Sequence, residues 1–299
     1  MKRFITKPYV YAVIYSLLLV LAVTFVLLDT FVIPRSLPHS EIDSVQSESN
    51  ENGNPQAAND AKITADSYSD GNITISIETS CVNDTTVYIA DIQIANADHL
   101  KTALAGNTYG RNIEQTTSEM AADHNAIFAI NGDYYGFRED GFVLRNGVLY
   151  RDSGDGQALI IDADGNLSVS DENDTNLSVL GAWQAFSFGP ALILDGDIAV
   201  SNDDEVGRAM QSNPRTAIGQ IGDLHYLFVV SDGRTSESAG LSLTELADVF
   251  KERGAKIAYN LDGGGSSTMV FMGEIVNNPT SGRRIKEREV SDIVYIGYE

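Results

Sequence analysis

A run of apolar residues near the N-terminus constrains this chain more than any other feature. Residues 10–28 read VYAVIYSLLLVLAVTFVLL and are interrupted only by the small hydroxyl side chains of Ser16 and Thr24. A helix needs about 20 such residues to cross a bilayer, whereas the apolar part of a cleavable signal peptide has about 7–15 and ends in a small-residue cleavage site. Residues 28–31 do not resemble such a site. The sequence therefore predicts an uncleaved membrane-spanning helix.

Basic residues before this run set the predicted orientation of the chain. Lys2, Arg3 and Lys7 precede the apolar run, and an acid-rich body follows it. Positively charged flanks stay on the cytoplasmic side of a membrane. We therefore predict a single-pass protein of the cell membrane, with residues 1–35 as a cytoplasmic basic tip and anchor and the C-terminal part outside the cell.

A polar segment separates the predicted anchor from the predicted folded part. Residues 36–62 are rich in Ser, Asn, Glu, Gln and Asp and contain almost no large apolar side chains. Such a segment cannot bury enough apolar area to offset the entropy lost on ordering. We predict a disordered, flexible linker over residues 36–62 and a single folded domain over residues 63–299.

The charge balance and the cysteine count exclude several classes of protein. The chain carries 42 acidic residues against 20 Lys and Arg, a formal net charge of −22. A field of this sign repels polyanions, so no nucleic-acid partner is expected. Cys81 is the single cysteine, which excludes an intrachain disulfide scaffold and a cysteine-based zinc site.

Alternating apolar residues predict a sheet-rich domain. Ile73, Ile75 and Ile77 alternate with polar residues, and a second apolar run follows the turn Asn83-Asp84, which predicts a hairpin with one buried face. Further apolar runs predict strands at residues 126–130, 191–194, 224–230 and 256–260. The expected fold class is α/β or α+β, a mixed twisted sheet with a few short helices.

Local signals predict the hairpins and the helices of this domain. Asn146-Gly147 and Asp164-Gly165 each separate two apolar runs, and both dipeptides tolerate the positive φ angles of type I′ turns. Residues 116–119 (TTSE) and 242–245 (SLTE) are capping boxes. They predict one helix through about residue 124 and a second that ends before residue 254.

Four polar clusters lie at the ends of apolar runs, where a sheet presents side chains to a cleft. Taken singly, each is ordinary turn chemistry. The fourth is unusual because its three consecutive glycines cost conformational entropy that a simple turn does not require. The clusters are NGDYY at 131–135, NPRTA at 213–217, SDGR at 231–234 and NLDGGGSST at 260–268.

The glycines and two arginines of these clusters favour binding of a phosphate. Backbone N–H groups of residues 263–265 could form a nest for an oxyanion, with hydroxyl donors after them. Arg215 and Arg234 could pair with phosphate in a bidentate fork. A structural salt bridge explains either arginine alone about as well. Neither a P-loop nor a G-x-G-x-x-G fingerprint is present, which disfavours nucleotide binding.

Three aspartates supply the candidate catalytic carboxylates. Asp133, Asp232 and Asp262 lie in three of the clusters. Two of them near one bond could carry glycoside cleavage, and they could instead bind a divalent cation such as calcium. The four histidines are scattered and no G-x-S-x-G elbow is present, so a Ser-His-Asp triad is poorly supported.

Five motifs in order resemble those of the phosphodiester glycosidase family. The resemblance covers roughly residues 66–298, and the family includes bacterial members associated with exopolysaccharide metabolism. It implies hydrolysis of a sugar-1-phosphodiester at the anomeric carbon, releasing free sugar and leaving a phosphomonoester. The motifs are AINGDYYGF at 129–137, NPRTAIG at 213–219, VVSDGR at 229–234, GLSLTELADVF at 240–250 and NLDGGGSSTMV at 260–270.

The resemblance and the residues together give a predicted site. Because phosphate is a good leaving group, its electrostatic stabilisation should carry much of the catalysis, and no cofactor is required. The predicted catalytic residues are Asp262, Asp133, Asp232 and Arg215, and the predicted substrate-binding residues are Asn131, Arg234, Asn260, Gly263, Gly264, Gly265, Ser266 and Ser267.

The predicted function is that of a membrane-anchored hydrolase that acts on a phosphodiester-linked glycan of the cell surface or an exopolysaccharide. Two alternatives remain open on the sequence alone. One is a noncatalytic protein that binds phosphorylated glycans or assembles polymer. The other is a metal-dependent phosphodiesterase that cleaves P–O and leaves a sugar phosphate.

Overall fold

The computed structural model describes residues 8–37, 61–154, 156–171, 176–177, 180–200, 211–282 and 284–299. The predicted basic tip before residue 8 and residues 38–60 of the predicted linker lie outside the described residues.

Three α-helices occur among the described residues: α1 at Pro8–Phe31, α2 at Thr117–Asp123 and α3 at Leu243–Glu252. The apolar run forms α1, which is long and apolar enough to cross a membrane and is not buried against the domain. Both capping boxes are present, with Thr116 and Ser242 as the N-cap residues. The two predicted short helices are therefore confirmed.

The strands are mostly short. In chain order they are β1 Arg35–Ser36, β2 Lys62–Ile63, β3 Ser67–Ser69, β4 Ile73–Val82, β5 Thr85–Ile94, β6 Leu100–Leu104, β7 Gly110–Arg111, β8 Phe128–Asn131, β9 Val143–Arg145, β10 Val148–Arg151, β11 Gln157–Asp162, β12 Leu167–Asp171, β13 Ala182–Phe186, β14 Ala191–Leu194, β15 Asp197–Ile198, β16 Arg215–Gly222, β17 His225–Ser231, β18 Ile257–Asn260, β19 Met269–Phe271, β20 Glu274–Ile275, β21 Thr280–Ser281, β22 Arg284–Ile285 and β23 Asp292–Ile296.

Most of these strands form three sheets. The largest has nine strands in the order β15-β14-β18-β16-β17-β5-β4-β3-β2. Two five-stranded sheets have the orders β20-β19-β8-β23-β6 and β10-β9-β13-β11-β12. The sheet-rich fold with a few helices is confirmed. Every strand pair among the described residues is antiparallel. Of the two expected fold classes, this arrangement is α+β. It corrects the expectation of a sheet with both parallel and antiparallel strands.

The sheets and helices stack in layers around two main apolar cores. The largest core lies between the nine-stranded sheet and the two five-stranded sheets, and includes Phe128, Phe228 and Tyr259. On its other face, the nine-stranded sheet packs against Leu246 and Phe250 of α3. α2 covers the outer face of the sheet that contains β8 and β23. Burial of this much apolar surface provides the driving force for the fold.

The predicted hairpins form, with two differences from expectation. Asn83 and Asp84, and likewise Asn146 and Gly147, have the positive φ angles of two-residue turns. Asp164 does not, because the Asp162 carboxylate accepts the N–H groups of Asp164 and Asn166 and closes a longer loop. β5 is buried on both faces over Val87–Ala90, not on one face, because α3 and its neighbours cover the second face.

The chain just after α1 lies on the domain. β1 pairs with β7, so Arg35 lies opposite Arg111 and Ser36 opposite Gly110. The Leu37 N–H then donates to the carbonyl oxygen of Tyr109 at 3.0 Å. Of the residues that the sequence assigns to a flexible linker, Ser36 is therefore part of a short two-stranded sheet, and Leu37 is hydrogen-bonded to the domain.

Candidate functional site

The four polar clusters meet at one edge between the nine-stranded sheet and the sheet that contains β8. β8 ends there at Asn131 and β18 ends there at Asn260. β16 begins there, because it is antiparallel to both of its neighbours. Its first residue, Arg215, lies opposite Ser231, the last residue of β17. The antiparallel pairing thus brings the arginine of one cluster beside the polar ends of two others.

Asn131 joins the two sheets at this edge. It is fully buried, and its amide donates to the carbonyl oxygen of Asp262 at 2.7 Å. Its Oδ1 accepts from Thr216 Oγ1 at 2.8 Å and from the Thr268 N–H at 3.2 Å. The Asp262 N–H donates to the carbonyl oxygen of Gly132 at 3.1 Å. Asn131 therefore holds the backbone of Asp262 and does not line the crevice.

An open chamber of about 530 Å³ lies at this edge, and we call it the arginine chamber. It brings together six of the predicted site residues with one arginine that the sequence analysis did not select, Arg288. The lining residues are Tyr134, Phe188, Gln211, Asn213, Arg215, Arg234, Asp262, Gly263, Gly264, Gly265 and Arg288.

Backbone and amide oxygens fix the two predicted arginines of this chamber. Arg215 Nε donates to the carbonyl oxygen of Leu241 at 2.8 Å, and Nη2 to that of Gln211 at 3.1 Å. Arg234 donates from Nε and Nη2 to Asn213 Oδ1 at 3.2 and 3.0 Å. Asn213 and Leu241 pair with each other. Two guanidinium groups held in this way can bind a phosphate without a large loss of side-chain entropy.

Asp262 and Arg288 both line the arginine chamber and form an ion pair. Its side chain is largely buried, and Oδ2 accepts from Arg288 Nη2 at 2.9 Å and from Ser266 Oγ. Arg288 Nε also donates to Ser266 Oγ at 2.9 Å. Burial raises the pKa of Asp262 above its usual range, whereas the Arg288 charge and the hydrogen bonds oppose that rise. A carboxylate with a raised pKa is a stronger base, which suits a reacting group.

The glycines of the predicted anion nest, residues 263–265, line the arginine chamber. The Gly264 N–H donates to the carbonyl oxygen of Pro214 at 2.8 Å. One of the three N–H groups is thus engaged within the protein. The glycines also allow close packing, since a Cβ on Gly263 would lie 2.9 Å from the Pro214 carbonyl oxygen.

Replacing Gly264 by alanine is expected to raise KM for a phosphodiester substrate about tenfold. Gly264 has a φ of +64°, and a Cβ there would lie 2.8 Å from Arg234 Nη2, so the guanidinium must move. Left-handed backbone costs a non-glycine residue about 1–2 kcal/mol. Gly273→Ala is the matched control, because Gly273 has a φ of +82° and no atom near its Cβ position. Equal kinetics for the two variants would show that Gly264 serves only the fold.

A second chamber of about 220 Å³ shares Tyr134, Asp262 and Arg288 with the first. We call it the glutamate chamber, because Glu114 and Glu289 line it together with Phe137. The rings of Tyr134 and Phe137 stack with centroids 4.7 Å apart. Partial burial raises the pKa of Glu114, and Glu289 adds to the rise. Asp262 thus lies at the boundary between the two chambers, together with Tyr134 and Arg288.

Asp133, predicted as catalytic, belongs to a buried ionic triad. Its side chain is 1% exposed, and Arg145 Nη2 lies 2.9 Å from Asp133 Oδ1 and 2.8 Å from Asp292 Oδ2. Burial and the Asp133 charge raise the pKa of Asp292 to about 7, while Arg145 opposes the rise. Asp292 also explains Gly132, where a Cβ would meet its carboxylate at 2.2 Å. The triad therefore supports the backbone that holds Asp262, and Asp133 lines neither chamber.

Three of the other predicted residues, Asp232, Asn260 and Ser267, line neither chamber. Asp232 accepts from the Asn278 N–H at 2.8 Å and from Tyr88 Oη at 3.2 Å, so its carboxylate is held in a buried network. Asn260 donates to the carbonyl oxygen of Gly189 at 2.7 Å. Ser267 is fully buried behind the glycine loop. Ser266 does line the glutamate chamber.

Comparison with known proteins assigns the chain to a family. A sequence model described as phosphodiester glycosidase matches residues 124–297, more than half of the chain. The chain belongs to the phosphodiester glycosidase family. The resemblance of the five motifs is therefore confirmed, and membership suggests a hydrolase.

Individual relatives of this chain are distant. The prophage-derived YomE protein of Bacillus subtilis is 30% identical over 202 residues, which cover 64% of this chain and 31% of YomE. The mouse N-acetylglucosamine-1-phosphodiester alpha-N-acetylglucosaminidase is 38% identical over 66 residues, 22% of this chain and 13% of the mouse protein. The chain thus spans a third or less of the length of these relatives.

A solved structure shows the same fold. The catalytic domain of the zebrafish N-acetylglucosamine-1-phosphodiester alpha-N-acetylglucosaminidase, auto-inhibited by its pro-peptide, superposes with a TM-score of 0.62 at 20% sequence identity. The match covers 76% of this chain and 83% of the zebrafish domain.

Sequence reasoning missed several residues of the site. Arg288 lies in a run, RRIKER at 283–288, that concentrates basic residues in an acidic chain, and this concentration was an available signal. Arg145, Glu114 and Asp292 carried no comparable signal, because each stands alone in its segment. Within the described ranges, no group of three or more His, Cys, Asp or Glu side chains is arranged to hold a metal ion.

Proposed function

We propose that this protein is a membrane-anchored extracytoplasmic glycosidase that hydrolyses a sugar-1-phosphodiester linkage in a cell-surface or exopolysaccharide glycan. The observation that carries the proposal is the convergence of Arg215, Arg234, Arg288 and Asp262 on one crevice. Three guanidinium groups in a chain of net charge −22 form a local site for an anion. The carboxylate beside them can act as the nucleophile or the general base of C–O cleavage.

In the proposed reaction, the two chambers bind different parts of the substrate. The phosphodiester lies in the arginine chamber, where Arg215 and Arg234 stabilise the negative charge that builds up on the departing phosphate. The sugar lies beside Asp262, whose carboxylate acts at the anomeric carbon. The C1–O bond breaks, and its electron pair leaves on the phosphate oxygen. Water supplies a hydroxyl group to C1, and its other proton passes through the Asp262 carboxylate to solvent or to the phosphomonoester.

Membrane anchoring is the second part of the proposal, and α1 supports it. The helix spans 24 residues with no acidic residue in its first turn and no basic residue in its last turn. Its apolar side chains are exposed, and a bilayer would remove that surface from water. The N-terminus would be cytoplasmic and the domain outside.

The function is tested by product analysis with the full chain in detergent and a panel of sugar-1-phosphodiesters. Hydrolysis in water enriched in heavy oxygen should place the label in the free sugar. Label in the phosphate would instead mean P–O cleavage. Saturable binding without turnover would favour a noncatalytic glycan receptor, and either result would contradict the proposal. The anomeric configuration of the first product distinguishes direct attack by water from a covalent intermediate on Asp262.

Replacing Arg288 by methionine is expected to move the acidic limb of the kcat/KM profile to higher pH. The Arg288 charge lowers the pKa of Asp262 against the effect of burial. Without that charge the pKa rises further, so the reactive carboxylate form is lost at a higher pH than in the wild type. Arg288→Lys keeps the charge and is the control. If the acidic limb of Arg288→Met stays at the wild-type pH, Asp262 is not the group whose protonation limits the rate.

A further inference from the structure

The segment that leaves α1 is fastened to the domain. β1 follows Phe31 after three residues and pairs with β7. Gly110 permits the contact, because a Cβ there would lie 2.1 Å from the carbonyl oxygen of Arg35. Leu37 packs against the cluster that contains Tyr109 and Tyr135.

A side chain of the domain also contacts the end of the helix. Asn112 Nδ2 donates to the carbonyl oxygens of Thr30 at 3.2 Å and Ile33 at 3.1 Å. These carbonyls belong to the last turn of α1 and to the residues just after it, which lack partners within a helix. The domain surface formed by residues 109–112 therefore lies at the end of the helix.

The crevice opens close to the same surface. Glu114, which lines the glutamate chamber, follows Asn112 by two residues, so their Cα atoms are at most about 7 Å apart. Arg111 forms an ion pair with Glu139, which links β7 to the segment that carries Tyr134 and Phe137. Phe137 is 45% exposed at the rim of the chamber.

We propose that the crevice faces the bilayer surface and takes a glycan phosphodiester that is itself anchored in the same membrane. This inference rests on the proposed function and deepens it by naming the substrate class. Because α1 ends three residues before the docked strand, a membrane-spanning α1 holds the chamber mouth beside the lipid headgroups. The contacting residues 30–37 and 109–114 lie outside the family match at 124–297.

Two physical effects favour a membrane-anchored substrate. Holding enzyme and substrate on one surface raises their effective concentration for each other. An exposed aromatic ring beside the chamber, Phe137, suits the water–lipid interface. A soluble polymer would gain from neither effect.

The test compares two substrates with the full chain reconstituted in vesicles. One is a soluble sugar-1-phosphodiester, and the other has the same head group on a lipid anchor in the same vesicle. A 20-residue helical spacer inserted between Pro34 and Arg35 would lift the domain by about 30 Å. We expect about tenfold slower cleavage of the anchored substrate and an unchanged rate on the soluble one. The control carries the same spacer within residues 38–60, beyond the docked strand, and should behave like the wild type.

The outcomes separate this inference from the proposed function. If the wild type cleaves neither substrate, the proposed function fails and this inference fails with it. If it cleaves the soluble substrate, but the spacer does not slow cleavage of the anchored one, only this inference is overturned.

If the spacer variant does not fold, a second measurement that does not depend on activity tests the inference. In a chain with Trp183→Phe, a Phe137→Trp reporter should be quenched by lipids brominated near the headgroup. Trp183 is the single tryptophan of the wild type, and its ring packs on Gly147 in the turn of the β9–β10 hairpin. Wild-type Trp183 should be quenched much less than the reporter at position 137. An unquenched reporter at position 137 overturns the inference.

Discussion

Asp262→Asn is expected to lower kcat/KM for a sugar-1-phosphodiester by about a hundredfold to ten-thousandfold, the range for loss of a catalytic carboxyl group. Asparagine keeps the shape of the side chain and its bonds to Ser266 and Arg288, so the chamber should persist. What is lost is the carboxylate at the boundary between the two chambers. Hydrolysis rates for the soluble substrate, measured across pH, provide the test.

The control for this variant is Asp248→Asn, an aspartate exposed on α3. It removes the same charge from the chain without touching the crevice, and its activity should equal that of the wild type. Thermal unfolding should show that both variants are folded. Near-normal turnover in Asp262→Asn would remove Asp262 from the reaction and leave the arginine chamber as a binding site only.

Arg145→Met is expected to reduce the free energy of unfolding by about 3 to 5 kcal/mol, the cost of leaving a buried charge without its partner. Arg145 is 2% exposed and Asp133 and Asp292 are each 1% exposed, so water cannot replace the guanidinium. Methionine fills much of the volume, and the loss is therefore mainly electrostatic. Chemical denaturation at neutral pH measures it.

The matched control is Arg253→Met, because Arg253 pairs with Glu78 at the surface at 3.3 Å. Exposed pairs contribute at most about 1 kcal/mol, so this variant should remain near wild-type stability. A small loss in both variants would mean that the buried carboxyl groups accept protons at little cost and that Arg145 is dispensable.

The same triad predicts how the wild-type stability depends on pH. The folded-state pKa of Asp292, about 7, lies above the value of an unfolded aspartate. The folded protein therefore binds more protons than the unfolded chain between about pH 4 and pH 7. The stability contributed by proton binding to Asp292 is fully present below this pH window and is lost as the pH rises through it. Arg145→Met should accordingly be more destabilising at pH 8 than at pH 5.

Part of the site could be predicted from the sequence. Residues 263–265 and the arginines at 215 and 234 stand out locally, because a glycine triplet and cations in an acidic chain are rare combinations. The sequence analysis placed each polar cluster at the end of a strand, and for this reason it predicted that these residues lie in one crevice. The sequence did not distinguish Asp262 from Asp133 and Asp232, because all three lie in turn-like clusters after apolar runs.

Tertiary contacts decided which carboxylate faces the crevice. Asp133 pairs with Arg145 from another strand, and Asp232 is bonded by Asn278 from a distant loop. Only Asp262 is left at the boundary of the chambers, where Arg288 reaches it. The sequence contains each of these residues without any pattern that pairs them.

The sequence by itself determined the local structure of this protein: the apolar helix, the Asn83-Asp84 hairpin and the two capped helices. These features depend on residues a few positions apart, so composition and spacing are sufficient to specify them. The chemical roles of the site required the fold. The partners of Asp262 and Arg145 lie up to 147 positions away in the chain, and the charge state of a buried carboxyl group is set by whichever distant groups the packed sheets bring to it.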